Sequence, residues 1–189
     1  MVDIPFTVFS GIGFFLCIPP AYFNWKIPGR PWATLIFIGW ICALNGFAFI
    51  DSIVWGGPDP SEWWDGEIYC DIDSRIKSEF SIGLPAAGIG ICRFLADATN
   101  PNPAHTDLRH TKNRRNMIDL FLGIGLPLIN MGLKMIVNPT RYNIVGVGGC
   151  TGVTDLSWPS FPLFHLWCPI LSGIAAVYAS IPLSLTLLM

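Results

Sequence analysis

The sequence predicts an all-α membrane protein, a helical transmembrane bundle. Three observations predict it. Charged residues make up 13% of the 189-residue chain, about half the roughly 25% of soluble domains. Mean hydropathy is +0.52. Five apolar stretches each approach the roughly 20 residues that a helix, rising about 1.5 Å per residue, needs to cross about 30 Å of hydrocarbon. Helices are the expected form, because lipid satisfies no open backbone group. No segment sustains the period-two alternation of a transmembrane barrel.

Span one runs from about 4 to 23, with Pro19 and Pro20 near its end. Span two covers about 32–55. Span three covers about 71–95; it starts in polar sequence, and its apolar part runs from Phe80 to Leu95. Span four covers about 117–137, and span five about 163–189. Residues 1–189 therefore read as a single transmembrane domain. The last stretch reaches Met189 without a polar stop, so the chain is expected to be incomplete at its C-terminus. The first stretch has only Asp3 before it and no small-x-small cleavage site. It reads as a retained span, not a signal peptide.

The loops set the sides. The first loop, Asn24 to Arg30, holds Lys26 and Arg30 and no acid. The third holds Arg109, Lys112, Arg114 and Arg115, with Arg93 just before it. The second holds Asp59, Glu62, Asp65 and Glu67 and no basic residue, and the fourth has only Arg141. The positive-inside rule then makes loops one and three cytoplasmic and the N-terminus extracellular. Trp55, Trp63, Trp64, Tyr69, Tyr142, Trp158 and Trp167 fit an outer aromatic belt. Asn100–Pro103 is turn-forming sequence of the inner loop.

Cys17, Cys42, Cys92 and Cys168 fall inside spans and read as small packing residues. Cys70 enters span three from outside, and Cys150 lies in the second outer loop. Both face the oxidising side, so a disulfide between them is expected.

Ionisable residues in a span are expensive and point to function. Span three opens with Asp71, Asp73, Arg75, Lys77 and Glu79. Asp71–Arg75, Asp73–Lys77 and Arg75–Glu79 are spaced as helical pairs. They read as mutual neutralisation or as the wall of an outward-facing polar vestibule, with Glu79 the deepest candidate contact. Lys134 and Asn130 in span four, and Asn45 and Asp51 in span two, either line the same cavity or bond between helices. Gly83, Ala86, Ala87 and Gly90 form a small-residue stripe that favours close packing and a central place for span three. Pro85, Pro127, Pro169 and Pro182 are candidate kinks.

Catalytic and metal chemistry find little support. His105, His110 and His165 make no HExxH or H-x-x-x-H pattern, and no Cys-x-x-Cys is present. No Walker loop or GxSxG elbow occurs, and Gly146–Gly149 reads as a flexible outer loop. No enzyme, cofactor or metal is expected. The net charge of -2 and pI near 5.8 carry no nucleic-acid signature.

Specific strings narrow the plan. Trp63-Trp-Asp-Gly-Glu-Ile-Tyr-Cys-Asp-Ile72 resembles the entry to the third helix of the fungal lipopeptide pheromone receptors of the a-factor type, which are G-protein-coupled receptors. Gly83-Leu-Pro-Ala-Ala-Gly-Ile-Gly-Ile-Cys-Arg-Phe-Leu95 is similar to the rest of that helix. Arg114-Arg115, Ile118-Asp119-Leu120 and Gly125-Leu-Pro-Leu128 resemble the start of the fourth. Ile136-Val137, Arg141-Tyr142-Asn-Ile144 and Gly149-Cys150 resemble the following loop, and Trp158-Pro159 and Ala176-Val-Tyr-Ala179 the fifth helix.

The resemblance implies a plasma-membrane receptor for a prenylated peptide pheromone, acting through a heterotrimeric G protein. It implies seven helices, of which this chain supplies five; the missing part includes the third inner loop and the sixth helix, which open the family's G-protein site, so weak ligand binding and a non-signalling form are compatible with the sequence. In this reading Trp63, Trp64 and Tyr142, with the charges Asp71, Arg75, Glu79 and Lys134, meet the peptide. Arg93, Arg114 and Arg115 face the G protein. The lipid bilayer is the solvent throughout, and a receptor oligomer is compatible with the plan. Two alternatives stand beside it: a regulatory or decoy protein that pairs with a full-length receptor, and a small transporter subunit using Glu79, Lys134 and Asp51.

Overall fold

The structure is a computed structural model describing residues 4–27, 31–57, 59, 63–98, 109–137, 142–152 and 165–187. Arg30, Glu62, Asn100–Pro103, His105, Arg141 and Trp158, used above, lie outside them. Six helices and a small hairpin occur among the described residues. They are α1 (Ile4–Lys26), α2 (Trp32–Val54), α3 (Glu67–Ala98), α4 (Arg109–Leu120), α5 (Leu126–Val137) and α6 (Trp167–Leu187). A π-helical turn, Phe121–Gly125, joins α4 to α5, so the two form one continuous rod. Strands β1 (Asn143–Val145) and β2 (Gly149–Thr151) pair antiparallel around a 3₁₀ turn, with Ile144 opposite Cys150.

Four helical segments are long and apolar enough to cross a membrane: Ile4–Lys26, Trp32–Val54, Glu67–Ala98 and Asn113–Lys134. In α6 the described apolar stretch, Trp167–Ser180, is shorter. Two spans begin earlier than hydropathy suggested. Helix α3 starts at Glu67, not Asp71. Gly66 takes φ +45° and its carbonyl accepts the Cys70 N–H at 2.8 Å, so a glycine turn launches the helix, and Glu67 suits the positive end of the helix dipole. Helix α4 starts at Arg109, not Met117. Its polar first turns need no lipid, which is why an apolar window misses them. Helix α1 continues through Pro19 and Pro20, and α3 through Pro85.

Helix α3 lies at the centre, packed against α2, α4, the π turn, α5, α6 and β2. Its small-residue stripe makes this possible. Ala86 and Ala87 are buried. A Cβ at Gly83 would overlap the Trp40 ring, and one at Gly90 would strike Ala33 and Asp119. Ile82, Ala86 and Ile89 form a core with Leu171 of α6, flanked by Leu122 and Leu126. Van der Waals fit of this kind is what holds helices together in lipid. Helix α1, by contrast, exposes Phe9, Phe15, Leu16 and Phe23, an apolar face suited to a bilayer.

Candidate functional site

Three polar networks, each built on a buried carboxylate, are strung along α3. The first lies at its Cys70 end. Asp51 of α2 is fully buried. It accepts the Tyr69 hydroxyl at 2.8 Å and pairs with Lys77. Lys77 also pairs with Asp73, one helical turn back, at 2.8 Å, and donates to the Gly148 carbonyl at 3.1 Å. Two buried carboxylates thus share one ammonium. Charges this deep are tolerated only when paired and hydrogen-bonded.

The hairpin roofs this cluster. Gly149 has φ +66°, and a Cβ there would collide with the Asp51 carboxylate. Only glycine combines that backbone with that approach. Cys70 and Cys150 form a disulfide with their Cα atoms 5.1 Å apart, and both are buried. The run expected to be a flexible loop is therefore an ordered hairpin clamped to α3. Strands of three residues leave too little alternation to be seen in sequence.

Beside the hairpin stands an aromatic cluster. Trp55 is fully buried against the disulfide, with Trp63, Tyr69, Tyr142 and Ile144 around it. It stacks on Trp64 at 6.3 Å and donates its indole N–H to the Trp64 carbonyl at 3.0 Å. Trp55 is thus a core residue, not a member of an outward belt. Trp64 is 58% exposed. Trp63 donates to the Gly57 carbonyl at 3.1 Å, and the Tyr142 hydroxyl to the Asp65 carbonyl at 3.5 Å.

The second network crosses the middle of the bundle. Glu79 is 2% exposed. It pairs with Lys134 at 2.8 Å and accepts the Asn130 amide at 2.9 and 3.2 Å. Of the three expected pairs within α3, only Asp73–Lys77 forms. Arg75–Glu79 does not, because the Glu79 carboxylate turns to α5. Asp71–Arg75 does not form either, and Asp71 Oδ1 is buried without a partner among the described residues. Asn45 and Asp51 do not share the Glu79 cavity. Asn45 bonds to the Ile41 carbonyl at 2.8 Å and packs against Gly13 of α1, while Asp51 belongs to the first network.

The third network closes the other end. Arg93 pairs with buried Asp119 at 2.6 Å and reaches the Arg115 carbonyl at 3.4 Å. Arg115 pairs with Asp97 at 3.4 Å and lies over Phe94 at 5.3 Å. Arg114 is exposed. Two of the three arginines expected to face a partner are therefore engaged within the bundle. A lone carboxylate in an apolar span was the signal for Asp119.

Sequence reasoning also missed Trp40. Its indole N–H donates to the Gly123 carbonyl at 2.9 Å. Pro127 lies four residues after Gly123 and has no N–H to give it. The helix widens into the π turn at this point, and a tryptophan from α2 supplies a donor. Trp40 also borders two apolar grooves. One, of about 260 Å³, runs between α3 and the π turn–α5 rod, with Trp40 of α2 at its edge; Arg75, Ile76, Ile124 and Leu128 help to line it. The other, of about 480 Å³, is lined by Trp25, Trp32, Leu35 and Gly39 among others.

Comparison with known proteins fits this arrangement. The family model described as pheromone A receptor matches residues 5–187. The pheromone a factor receptor of Saccharomyces cerevisiae is 26% identical over 168 residues, covering 89% of this chain and 35% of that protein. The pheromone B beta 1 receptor of Schizophyllum commune is 33% identical over 151 residues, 79% of this chain and 27% of that protein. Pheromone receptor 1 of Mycosarcoma maydis is 25% identical over 181 residues, 96% and 49% respectively. The chain thus spans half or less of the length of these relatives. No solved structure matches. The family is one of receptors, not enzymes, with a G-protein-coupled-receptor-like helical bundle. A multi-pass helical architecture and a match over nearly its whole length place this chain in the pheromone A receptor family.

Proposed function

We propose that the chain serves as a plasma-membrane receptor for a peptide pheromone bearing a prenyl group, coupled to a heterotrimeric G protein. The N-terminus and the disulfide-clamped hairpin face the exterior. The observation that carries this reading is the family match over residues 5–187, supported by relatives named for pheromones.

The ligand-facing surface is the aromatic mouth beside the hairpin. Trp64, exposed and stacked on Trp55, offers a rigid apolar plate, with Asp65 and Glu67 beside it; Trp63 and Tyr142 support the plate from the hairpin side. Beneath it, Glu79 and Lys134 hold α3 and α5 in register, not through direct contact at Glu79, whose carboxylate is already taken. The prenyl chain partitions into the bilayer first, where each buried CH₂ contributes about 0.8 kcal/mol. At the opposite end Arg114 offers an exposed cation to an acidic partner. Arg93 and Arg115 join it when their pairs to Asp119 and Asp97 open.

The test is ligand binding on cells expressing the chain, with a fluorescent farnesylated peptide and its unfarnesylated twin. Saturable binding of the farnesylated form is expected, weakened about tenfold by Trp64→Ala, as truncation of an aromatic anchor does. Absence of saturable binding for both peptides would overturn the proposal.

A further inference from the structure

The groove beside Arg75 has a composition that calls for an occupant. Ile72, Ile76, Ile124, Pro127 and Leu128 make its wall. The polar groups that border it are already committed, with one exception. Trp40 gives its N–H to Gly123. Glu79 gives its carboxylate to Lys134 and Asn130. The remaining group is Arg75, a half-buried guanidinium that pairs with no carboxylate among the described residues. An unpaired cation against an apolar wall is costly in a membrane.

The groove is also open on its outer side. Ile72, Ile124 and Leu128 are each at least 40% exposed. The α6 contact, through Leu171, falls on Ile82, Ala86 and Ile89, none of which lines the groove. Depth fits a lipid headgroup. Helix α3 has 32 residues, about 48 Å at the α-helical rise, about 18 Å more than a hydrocarbon core of about 30 Å. With that excess shared equally between the ends, the Cα of Arg75, about 12 Å along the helix from Glu67, falls near the hydrocarbon boundary. Its long side chain extends from there to the phosphate level.

We propose that this groove is a phospholipid site, in which the Arg75 guanidinium holds the lipid phosphate and one acyl chain lies along Ile76, Ile124 and Leu128. A planar guanidinium forks onto a phosphate with two parallel hydrogen bonds, which neutralises the one uncommitted charge of the groove. The acyl chain fills apolar volume that no side chain of the described residues occupies. The lipid is a wedge between α3 and α5, distinct from the peptide-binding mouth at Trp64.

Native mass spectrometry of the detergent-purified chain tests this. The chain is titrated with dioleoyl-phosphatidylglycerol and, separately, with dioleoylglycerol, which has the same chains and no phosphate. One tightly held phospholipid per chain is expected, with dioleoylglycerol held at least about tenfold more weakly, the loss of a charge-assisted bidentate contact. Arg75→Gln should bring phospholipid retention down to the dioleoylglycerol level, and Arg75→Lys should keep part of it. Leu128→Trp, which fills the groove and leaves Arg75 in place, should abolish retention of both lipids. Mass mapping of the Cys70–Cys150 disulfide identifies any variant that fails to fold. Equal retention of the two lipids by the wild type, or unchanged phospholipid retention in a folded Arg75→Gln chain, would overturn the site. So would an Arg114→Gln chain that loses as much lipid as Arg75→Gln. Loss of retained phospholipid to a farnesylated peptide, in wild type and Arg75→Gln alike, would give the groove to the pheromone and overturn it too.

Discussion

Trp40 and Gly123, 83 positions apart, are joined by an indole-to-carbonyl hydrogen bond of 2.9 Å. The carbonyl belongs to the residue that Pro127 cannot serve, and it sits in the π turn that the proline creates room for. Helix α2 thereby mends a defect in the fourth span. Trp40→Phe keeps an aromatic ring, smaller than the indole, and removes the donor. It should destabilise the bundle by about 1–3 kcal/mol. Pro127→Ala restores a local donor, so the Trp40→Phe/Pro127→Ala double variant should lose less than the sum of the two. A thermal or denaturant series in detergent measures both.

At the Cys70 end, Lys77 is the only cation between Asp51 and Asp73 among the described residues. Lys77→Met leaves two buried carboxylates without a counter-charge and should cost about 3–5 kcal/mol. Asp51→Asn leaves Lys77 with Asp73 and still offers Tyr69 an acceptor, so it should cost about 1 kcal/mol. Equal losses in an unfolding titration would remove the shared-ammonium description.

Glu79 and Lys134 make the equivalent test in mid-bundle. Lys134→Met strands the Glu79 carboxylate with Asn130 alone and should cost about 3–5 kcal/mol. Glu79→Gln/Lys134→Met, which removes both charges, should be more stable than Lys134→Met. A double-mutant cycle reads the coupling between them.

Gly149 carries the hairpin onto Asp51. Gly149→Ala places a Cβ against the carboxylate in a left-handed backbone, and should cost about 1–3 kcal/mol through strain and overlap. The hairpin should lift first, so protease cleavage within 143–151 should rise before the helices unfold. Cleavage no faster than in the wild type would show that the close approach is not required.

The disulfide closes a loop of 80 positions. Reducing it, or making Cys70→Ser/Cys150→Ser, should lower stability by up to about 4 kcal/mol on the chain-entropy account. Part of that restraint is already exercised by the membrane on α3 and the fourth span, so a smaller loss confined to the hairpin end is the expected pattern in hydrogen exchange.

Legibility in the sequence follows range along the chain. The apolar spans, the small-residue stripe of α3 and the Asp73–Lys77 pair are local, set by composition or by one helical turn. All of these are visible without a structure. The polar first turns of α3 and α4 escape a hydropathy window because they lie where water and headgroups remain. Even at one turn, spacing alone does not choose the partner. Arg75 and Glu79 have ideal helical spacing, yet Glu79 chooses Lys134 of another helix. Arg93, which reads as a free cytoplasmic cation, is held by Asp119.

By itself, then, the amino-acid order determined the solvent of this protein, the order of its helices and the family whose motifs it carries. Each of these depends on the chemistry of a single segment or on a short string. Only the folded arrangement decided which carboxylate meets which cation, which carbonyl receives Trp40, and that a glycine hairpin lies on Asp51. Those choices depend on which faces of distant helices come within about 3 Å of one another, the reach of a hydrogen bond.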